Sequence, residues 1–512
     1  MPETYSARAL DPSNRIPIVS WKYKPGDQKQ ASDPAFPAVD WAELEPGNYV
    51  PVSSRAKQTV VWLRGELQVP SGQDPSQLSL DLGARTGHSE VWVNGVKAKV
   101  SAVRNAPVFV AAPAGLRAGR NVVAIKLTFG NHVGGVRWSG EPGAGREAAR
   151  QRGFVTRRFR SKLDGSEQSL GVYLPQCADL GVARPLVVAL PGWDGNIYGF
   201  SHSRLMFEAE RRGWIVLVPD PRGNLLYTGM SEQGVLEAID VLSSDLRVDP
   251  DRVYLTGVSM GGAGALQIGY HYPDRFAALA AFYGDSRYEP RGYVEPILRD
   301  QATADRYSVL LFPMNARNLP VLLVHARDDR VSPFVQSQQL AEADRRAGLS
   351  HHRLTAPSTG GHSLQVVEDA IDEMVELFAS SQRIARPPRV SFKTSAAAYS
   401  RAWWLQVQVR REGEFAEADV SVDPQSATVR VHSMEAKAVT VQLEAALGAV
   451  PAKVSIVVDQ KTRAPLFLRG VSSWSAAVVS SAGREAPIAV RAGVLELAAL
   501  QPGTYELHAA AR

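Results

Sequence analysis

A serine that acts as a nucleophile at neutral pH needs a base within reach, and the base needs an acceptor that fixes its tautomer. The chain offers such a set in one order. Ser259 lies in Gly257-Val258-Ser259-Met260-Gly261, between the apolar run Val253 to Thr256 and a small-residue stretch that begins Gly262-Ala263-Gly264-Ala265. In a strand-to-helix context this G-x-S-x-G pattern predicts a turn so tight that the serine takes a strained backbone, with both glycines leaving room for the neighbouring chain. Outside that context the same pentapeptide is an ordinary turn. Asp329 follows the apolar run Val321 to Val324, and His362 stands in Ser358-Thr359-Gly360-Gly361-His362-Ser363, a Gly-rich loop after a short strand expected at His352 to Ala356. The order serine, acid, histidine assigns His362 as base and Asp329 as the carboxylate that orients it. Asp328, next to Asp329, and Asp285, at the end of the preceding apolar run, compete for the acid's role. Asp329 is favoured because it falls just past a buried strand, on the edge that presents Ser259. Of the other histidines, His351 and His352 are expected to start a strand, His325 to be buried at a strand end, and His271 to follow the helix after Ser259.

Acyl chemistry also needs two N–H groups aimed at the developing oxyanion. The Met260 amide, next after the nucleophile, is the first candidate. The second is the Trp193 amide, in the loop Leu190-Pro191-Gly192-Trp193-Asp194-Gly195-Asn196 that leaves the apolar run Leu186 to Leu190. The stretch Asp285 to Pro320 is long for a connection and reads as a partial cap with helical structure around Val294 to Gln301. Tyr288 and Tyr293 in that cap, Trp193, and Tyr227 in the loop Arg222 to Gly229 are candidate walls of a substrate pocket. The arginines of the cap read first as a solvated face.

These residues must be held by a scaffold, and its elements are legible as changes of hydrophobic period. Between about residues 151 and 384, continuous apolar runs at Leu186 to Leu190, Trp214 to Val218, Val253 to Thr256, Ala277 to Tyr283 and Val321 to Val324 alternate with helical patterns such as Val235, Ile239, Leu242 and Leu246. Buried strands alternating with amphipathic helices predict an α/β domain with a mostly parallel sheet covered on both faces. Residues 1–150 alternate with period two around Val60 to Leu63, Leu78 to Leu82 and Val91 to Val93, with a turn at Asn94-Gly95, and predict a β-sandwich. Residues 385–512 predict a second, through Val420/Val422, Val429/Val431, Val439/Val441/Leu443 and Val454/Ile456/Val458. Polar, Gly- and Pro-punctuated stretches at Ser139 to Arg152 and Ser381 to Arg389 are the expected linkers. There is no internal repeat and no low-complexity tract.

Composition removes several classes. In 512 residues, 45% of them hydrophobic, there is ample core, so a disordered or fibrous chain is excluded. No apolar run approaches the length of a membrane span. The 57 Lys and Arg exceed the 52 Asp and Glu by a net charge of +5, scattered along the chain rather than gathered, which argues against a nucleic-acid partner. The one cysteine, Cys177, allows no internal disulfide and no thiolate cluster. Met1 to Pro17 lacks the basic-then-apolar pattern of a secretory signal. The compartment is extracellular or periplasmic if a signal has been removed, and cytoplasmic otherwise. Five of the ten tryptophans (Trp21, Trp41, Trp62, Trp92, Trp138) fall in the first segment. They could stack on sugars, but alternating strand positions mark them first as sandwich core. Trp403 and Trp404 are adjacent and cannot face one side of a strand, so one is expected exposed or at a domain contact.

Residues 154–380 resemble α/β-hydrolases of the feruloyl-esterase and polyhydroxybutyrate-depolymerase-like branch, with prolyl-oligopeptidase-like hydrolases as near neighbours. The stretches that carry the likeness are FRSKLDGSEQSLGVYLP (Phe159 to Pro175), LPGWDGN, VPDPRGN (Val218 to Asn224), DPDRVYLTGVSMGGAGAL, YPDRFAALA (Tyr272 to Ala280), HARDDRVSP and GGHS. Pro191 stands where many relatives have histidine, which leaves the N–H donor in place. The resemblance implies a serine esterase working through an acyl-enzyme on feruloyl, acetyl or polyester-like esters. Its substrate could be attached to a polysaccharide or polymer, and it implies no metal or organic cofactor. A serine peptidase and a non-catalytic binding protein are the alternatives. The first segment resembles, more loosely, the galactose-binding-like jelly roll found beside glycoside hydrolases, through Trp62-Leu63-Arg64, VWVNG and LRAGRNVVAI.

Overall fold

The computed structural model describes residues 16–44, 49–50, 58–84, 88–100, 107–111, 113–130, 136–137, 143–146, 153–175, 178–200, 203–472, 474, 477–481, 484–498 and 500–509. Trp138, Cys177 and the chain before Ile16 lie outside the described residues. The chain forms two compact units. The first comprises Met1–Leu225, Gly229–Asp249 and Gly360–Val375; the second comprises Leu226–Thr228, Pro250–Thr359 and Glu376–Arg512. Among the described residues no helix is long and apolar enough to cross a membrane.

In the first unit, the strand Ile16–Pro25 serves two sheets. Ile16 and Pro17 pair with Gly143–Arg146, whereas Ile18 to Pro25 pair with Gln58–Val69, and the register slips between Ile18 and Ser20. The expected linker at Ser139 to Arg152 is therefore partly a strand, which pairs with Leu78–Ala84 on its other side. Trp21, Leu63, Leu80, Val91, Val123 and Ile125 close the core of this sandwich. Trp41 and Trp62 are also buried, in a smaller cluster with Ala31 and Ala124. Three carbonyls of the stretch 31–34 accept from the buried Arg64 guanidinium: Ala31 at 2.5 Å, Asp33 at 2.8 Å and Pro34 at 3.2 Å. The tryptophans at strand positions are thus core; Trp92, half-buried, stacks on Trp62 with 5.1 Å between ring centroids.

The same unit holds four further strands in the order Gly153–Arg160, Glu167–Leu174, Ile215–Pro219, Arg184–Leu190, the first two pairings antiparallel and the last parallel. The second unit continues the α/β pattern. Val248–Val258, Ala278–Phe282, Val321–Val324 and His352–Thr355 run parallel in that order, with the helices Met260–His271 and Val335–Arg346 between them. The apolar runs become strands because parallel strands buried on both faces need no alternation. The predicted cap departs from expectation: the helix there is Gln301–Tyr307, not Val294 to Gln301. Pro296 cannot donate within a helix, and the Asp300 carboxylate accepts from the Thr303 amide at 2.8 Å, which fixes the helix start after it.

Residues from Arg389 onward fold as two facing sheets whose inner residues include Phe392, Val420, Val431, Val441, Ile456 and Leu466, the alternation expected of a sandwich. Trp403 and Trp404 are both buried. The Trp403 amide donates to the Asp274 carboxylate at 3.1 Å, so this is the tryptophan at a contact with the α/β layer of its unit.

Candidate active site

The strand Val248–Val258 delivers its last residue directly to Ser259, and the helix Met260–His271 starts on the next. Ser259 has φ 55° and ψ −120°, a conformation that costs a residue with a Cβ about 1–3 kcal/mol. What holds it there is close packing of backbone on backbone. The Ser259 amide donates to the Phe282 carbonyl at 2.9 Å, and the Ala263 amide returns to the Ser259 carbonyl at 3.0 Å. A Cβ on Gly257 would lie 2.1 Å from the Gly261 carbonyl oxygen, and one on Gly262 would lie 2.5 Å from that of Phe282. Gly257 of the motif and Gly262 just after it are required by these approaches. The Met260 amide is the first of the helix, and such N–H groups have no partner within the helix, which is what an oxyanion donor needs.

Asp329 and Asp328 are adjacent but differ in kind. Asp328 is exposed, whereas the Asp329 side chain is fully buried in the turn after Val321–Val324. Its Oδ1 accepts from the amides of Val331 at 2.8 Å and Ser332 at 3.1 Å. Its Oδ2 lies 3.3 Å from Nε2 of the buried His325, and the same nitrogen is 2.9 Å from the Ser332 carbonyl. Two acceptors around Nε2 mean that it carries the proton, leaving Nδ1 to accept from the Ser337 hydroxyl at 2.8 Å. Asp285 is engaged elsewhere: Ser332 Oγ donates to its Oδ1 at 2.6 Å, and the Tyr293 phenol donates to its Oδ2. Burial and the Asp285 charge hold the Tyr293 phenol above its ordinary pKa, so it remains a donor. Ser332 thus links the two carboxylates. Only the mostly polar stretch from Arg327 to Ser332 hints at this support in the sequence, and the pattern does not say which of its residues face inward.

The candidate pocket residues separate by burial. Tyr293 and Trp193 are exposed at 51% and 44%. Tyr227 and Tyr288 are buried at 0% and 1%, which corrects their assignment as pocket walls. Tyr227 is packed on the helix after Ser259: a Cβ on Gly264 would come within 2.5 Å of its ring, and its carbonyl accepts from Gln267. The small residues after the G-x-S-x-G motif make room for that ring. Tyr288 donates its amide to the cap, where the Ser308 hydroxyl accepts at 2.9 Å. Trp193 and His362 belong to the first unit. Beside Trp193, Asp194 has φ 55° and is held by reciprocal bonds with Asn224, at 2.8 Å from its amide and 2.7 Å to its carboxylate. His362 is half-buried and follows Gly360 and Gly361, at φ 136° and 58°, values that favour glycine.

Residues 199–381 match the prolyl oligopeptidase family, a span that opens before the strand Ile215–Pro219 and closes after the His362 loop. The match carries the strained serine and the parallel strands around it. This segment is a serine hydrolase domain of the α/β-hydrolase type. The hydrolase segment also resembles solved structures at low identity. An S-formylglutathione hydrolase from Agrobacterium tumefaciens shares 19% identity over 44% of this chain and 95% of its own, with a TM-score of 0.39. A ferulic acid esterase shares 19% over 44% of this chain and 97% of its own, at 0.39. The acylaminoacyl peptidase of Pyrococcus horikoshii shares 20% over 45% of this chain and 42% of its own, at 0.38. No match was found among curated proteins.

Proposed function

We propose that the hydrolase is a carboxylic ester hydrolase in which Ser259, His362 and Asp329 act as nucleophile, general base and orienting acid. The observation that carries this reading is the Ser259 backbone at φ 55°, ψ −120° between strand and helix, a strain that persists where a nucleophile must be presented. His362 takes the Ser259 proton as Oγ bonds to the acyl carbon, and returns it to the departing alkoxide; water then repeats the sequence and releases the acid. Asp329, buried in the turn after Val321–Val324, keeps the imidazole in the tautomer that accepts from serine. The Met260 and Trp193 amides receive the oxyanion. Chain order and the position of the buried Asp329 in the turn directly after Val321–Val324 support these roles, whereas its neighbour Asp328 is exposed. Esters of feruloyl, acetyl or polyester type, free or attached to a polymer, are the substrates implied by the motif resemblance.

The match to the prolyl oligopeptidase family favours a second reading, peptide hydrolysis. The ester reading is supported by the leading segment, whose strands pair in extended sheets rather than in radially repeated four-stranded blades that could gate a peptide cleft. Matched p-nitrophenyl esters, methyl ferulate, acetylated xylan and peptide anilides separate the two, with Ser259→Ala as blank. The expected result is a kcat/KM for esters about a hundredfold above matched amides, or ~2.7 kcal/mol in the transition state. Comparable efficiency on an anilide would move the protein to the peptidase reading.

A further inference from the structure

A serine, a histidine and an aspartate meet far along the chain from the G-x-S-x-G motif, within the closing sandwich. Ser421 Oγ lies 2.8 Å from Nε2 of His432, and Nδ1 of His432 lies 2.8 Å from Oδ2 of Asp459. The strands explain the convergence. Ala416–Asp423 and Thr428–Glu435 pair antiparallel with Ser421 opposite Arg430, and the register slips between Asp419 and Val420 so that His432 is the extra residue of a bulge. A bulge re-aims a side chain. Asp459 follows directly on the strand Lys453–Val458, anchored by its amide to the Val431 carbonyl at 3.0 Å.

The chemistry of the three groups is that of an activated nucleophile. Asp459 also accepts from Arg430 at 2.7 Å, and these bonds hold its carboxyl below the usual carboxylate range despite the opposing effect of desolvation. The Asp459 carboxylate accepts a hydrogen bond from Nδ1–H, which leaves Nε2 facing the Ser421 hydroxyl as an acceptor. Asp419, the other acid near His432, is occupied by Arg389, at 2.8 Å from its Nε, and by the Ser391 hydroxyl at 2.8 Å. Ser421 is paired in register with Arg389 on one side and Arg430 on the other, whose guanidiniums are held by Asp419 and Asp459. The cluster is not sealed: the side chains of His432 and Asp459 are 25% and 35% exposed.

We propose that Ser421, His432 and Asp459 form a second acyl-accepting site, separate from Ser259, which reacts with small activated carboxylic esters. Ser421 Oγ bonds to the acyl carbon as its proton passes to His432 Nε2. The bond to the leaving oxygen breaks, and that oxygen takes the proton from His432, so an ester yields an acyl-serine and an alcohol. Ser421 lies in an extended strand paired on both sides, without the backbone strain and helix-start amides that surround Ser259. An activated ester loses a good leaving group on acylation whereas release of the acid must expel the poorer serine alkoxide, so acylation outruns release and the acyl group accumulates.

The test uses the full chain carrying Ser259→Ala, incubated with p-nitrophenyl acetate or a fluorophosphonate, digested and read by mass spectrometry. The expected result is a label on the peptide containing Ser421, formed on the order of a hundredfold more slowly when His432→Gln or Asp459→Asn is added. Two variants are used because His432→Gln alone could disturb the bulge; circular dichroism checks that each is folded. The readout is the labelled peptide, so it does not depend on which serine serves the principal site. Absence of label on Ser421, or unchanged labelling in both folded variants, would overturn the proposal.

Discussion

Replacing Ser259 by glycine should leave the protein more stable than replacing it by alanine, although both variants are inactive. The perturbation isolates backbone strain, because both remove the hydroxyl and every bond it makes. At φ 55° and ψ −120° alanine keeps the Cβ that is costly there, about 1–3 kcal/mol, while glycine adopts the region freely. Glycine loses about 0.4–1 kcal/mol through the greater freedom of its unfolded chain. It also forfeits one methyl of burial, about 0.8 kcal/mol if complete and half that at a half-buried position. Taking the middle of each range, the glycine variant gains about 1 kcal/mol over alanine. Urea unfolding measures this as a higher midpoint at unchanged slope, and thermal scans as a shift of about 1–3 °C in the hydrolase transition. Equal stability, or a less stable glycine variant, would refute the claim that strain is stored at the nucleophile.

Asp329→Asn should lower kcat by as much as ~10⁴ while Asp328→Asn stays near wild type, since only the buried carboxylate is proposed to orient His362; equal losses in steady-state kinetics would contradict the assignment. Gly264→Ala should destabilise by about 1–3 kcal/mol, because its Cβ meets the ring of the fully buried Tyr227 at 2.5 Å; a neutral result in urea unfolding would mean that the ring can move aside. Arg64→Ala should cost about 2–4 kcal/mol and expose the stretch 31–34 to proteolysis, since three carbonyls lose a charged donor; unchanged cleavage would show another anchor. The Asp164 carboxyl is held at about 2, against 3.8 unperturbed, first by the Ser166 hydroxyl and amide and then by Arg222. Its folded value is depressed, so its contribution is full above pH 3.8 and is lost as pH falls toward 2. Asp164→Asn should flatten the acid limb of stability in that window, and an unchanged limb would count against the Arg222 contact.

The α/β pattern, the flanking sandwiches and the turn that carries Ser259 are legible in the linear chain because they rest on local rules. Apolar runs without alternation mean doubly buried strands, alternation means one buried face, and G-x-S-x-G between strand and small-residue helix means a tight turn. Val321–Val324 appears as a strand with the bounds its apolar run suggests. Even at this level a backbone donor count can overrule pattern, as where Asp300 and Pro296 move the cap helix C-terminal to its apolar residues.

What the linear chain leaves open is which side of an element a residue faces once packed, and what it meets there. Tyr227 and Tyr293 read alike as loop tyrosines, yet one fills the space left by Gly264 and the other is a half-exposed donor to Asp285. Asp328 and Asp329 are neighbours of the same type, and only the turn that follows their strand gives Asp329 two amides and a buried imidazole while Asp328 stays exposed. Ser421, His432 and Asp459 carry no motif at all. They converge because one bulge and two strand pairings bring distant residues together, and contacts set by long-range pairing leave no trace in local spacing.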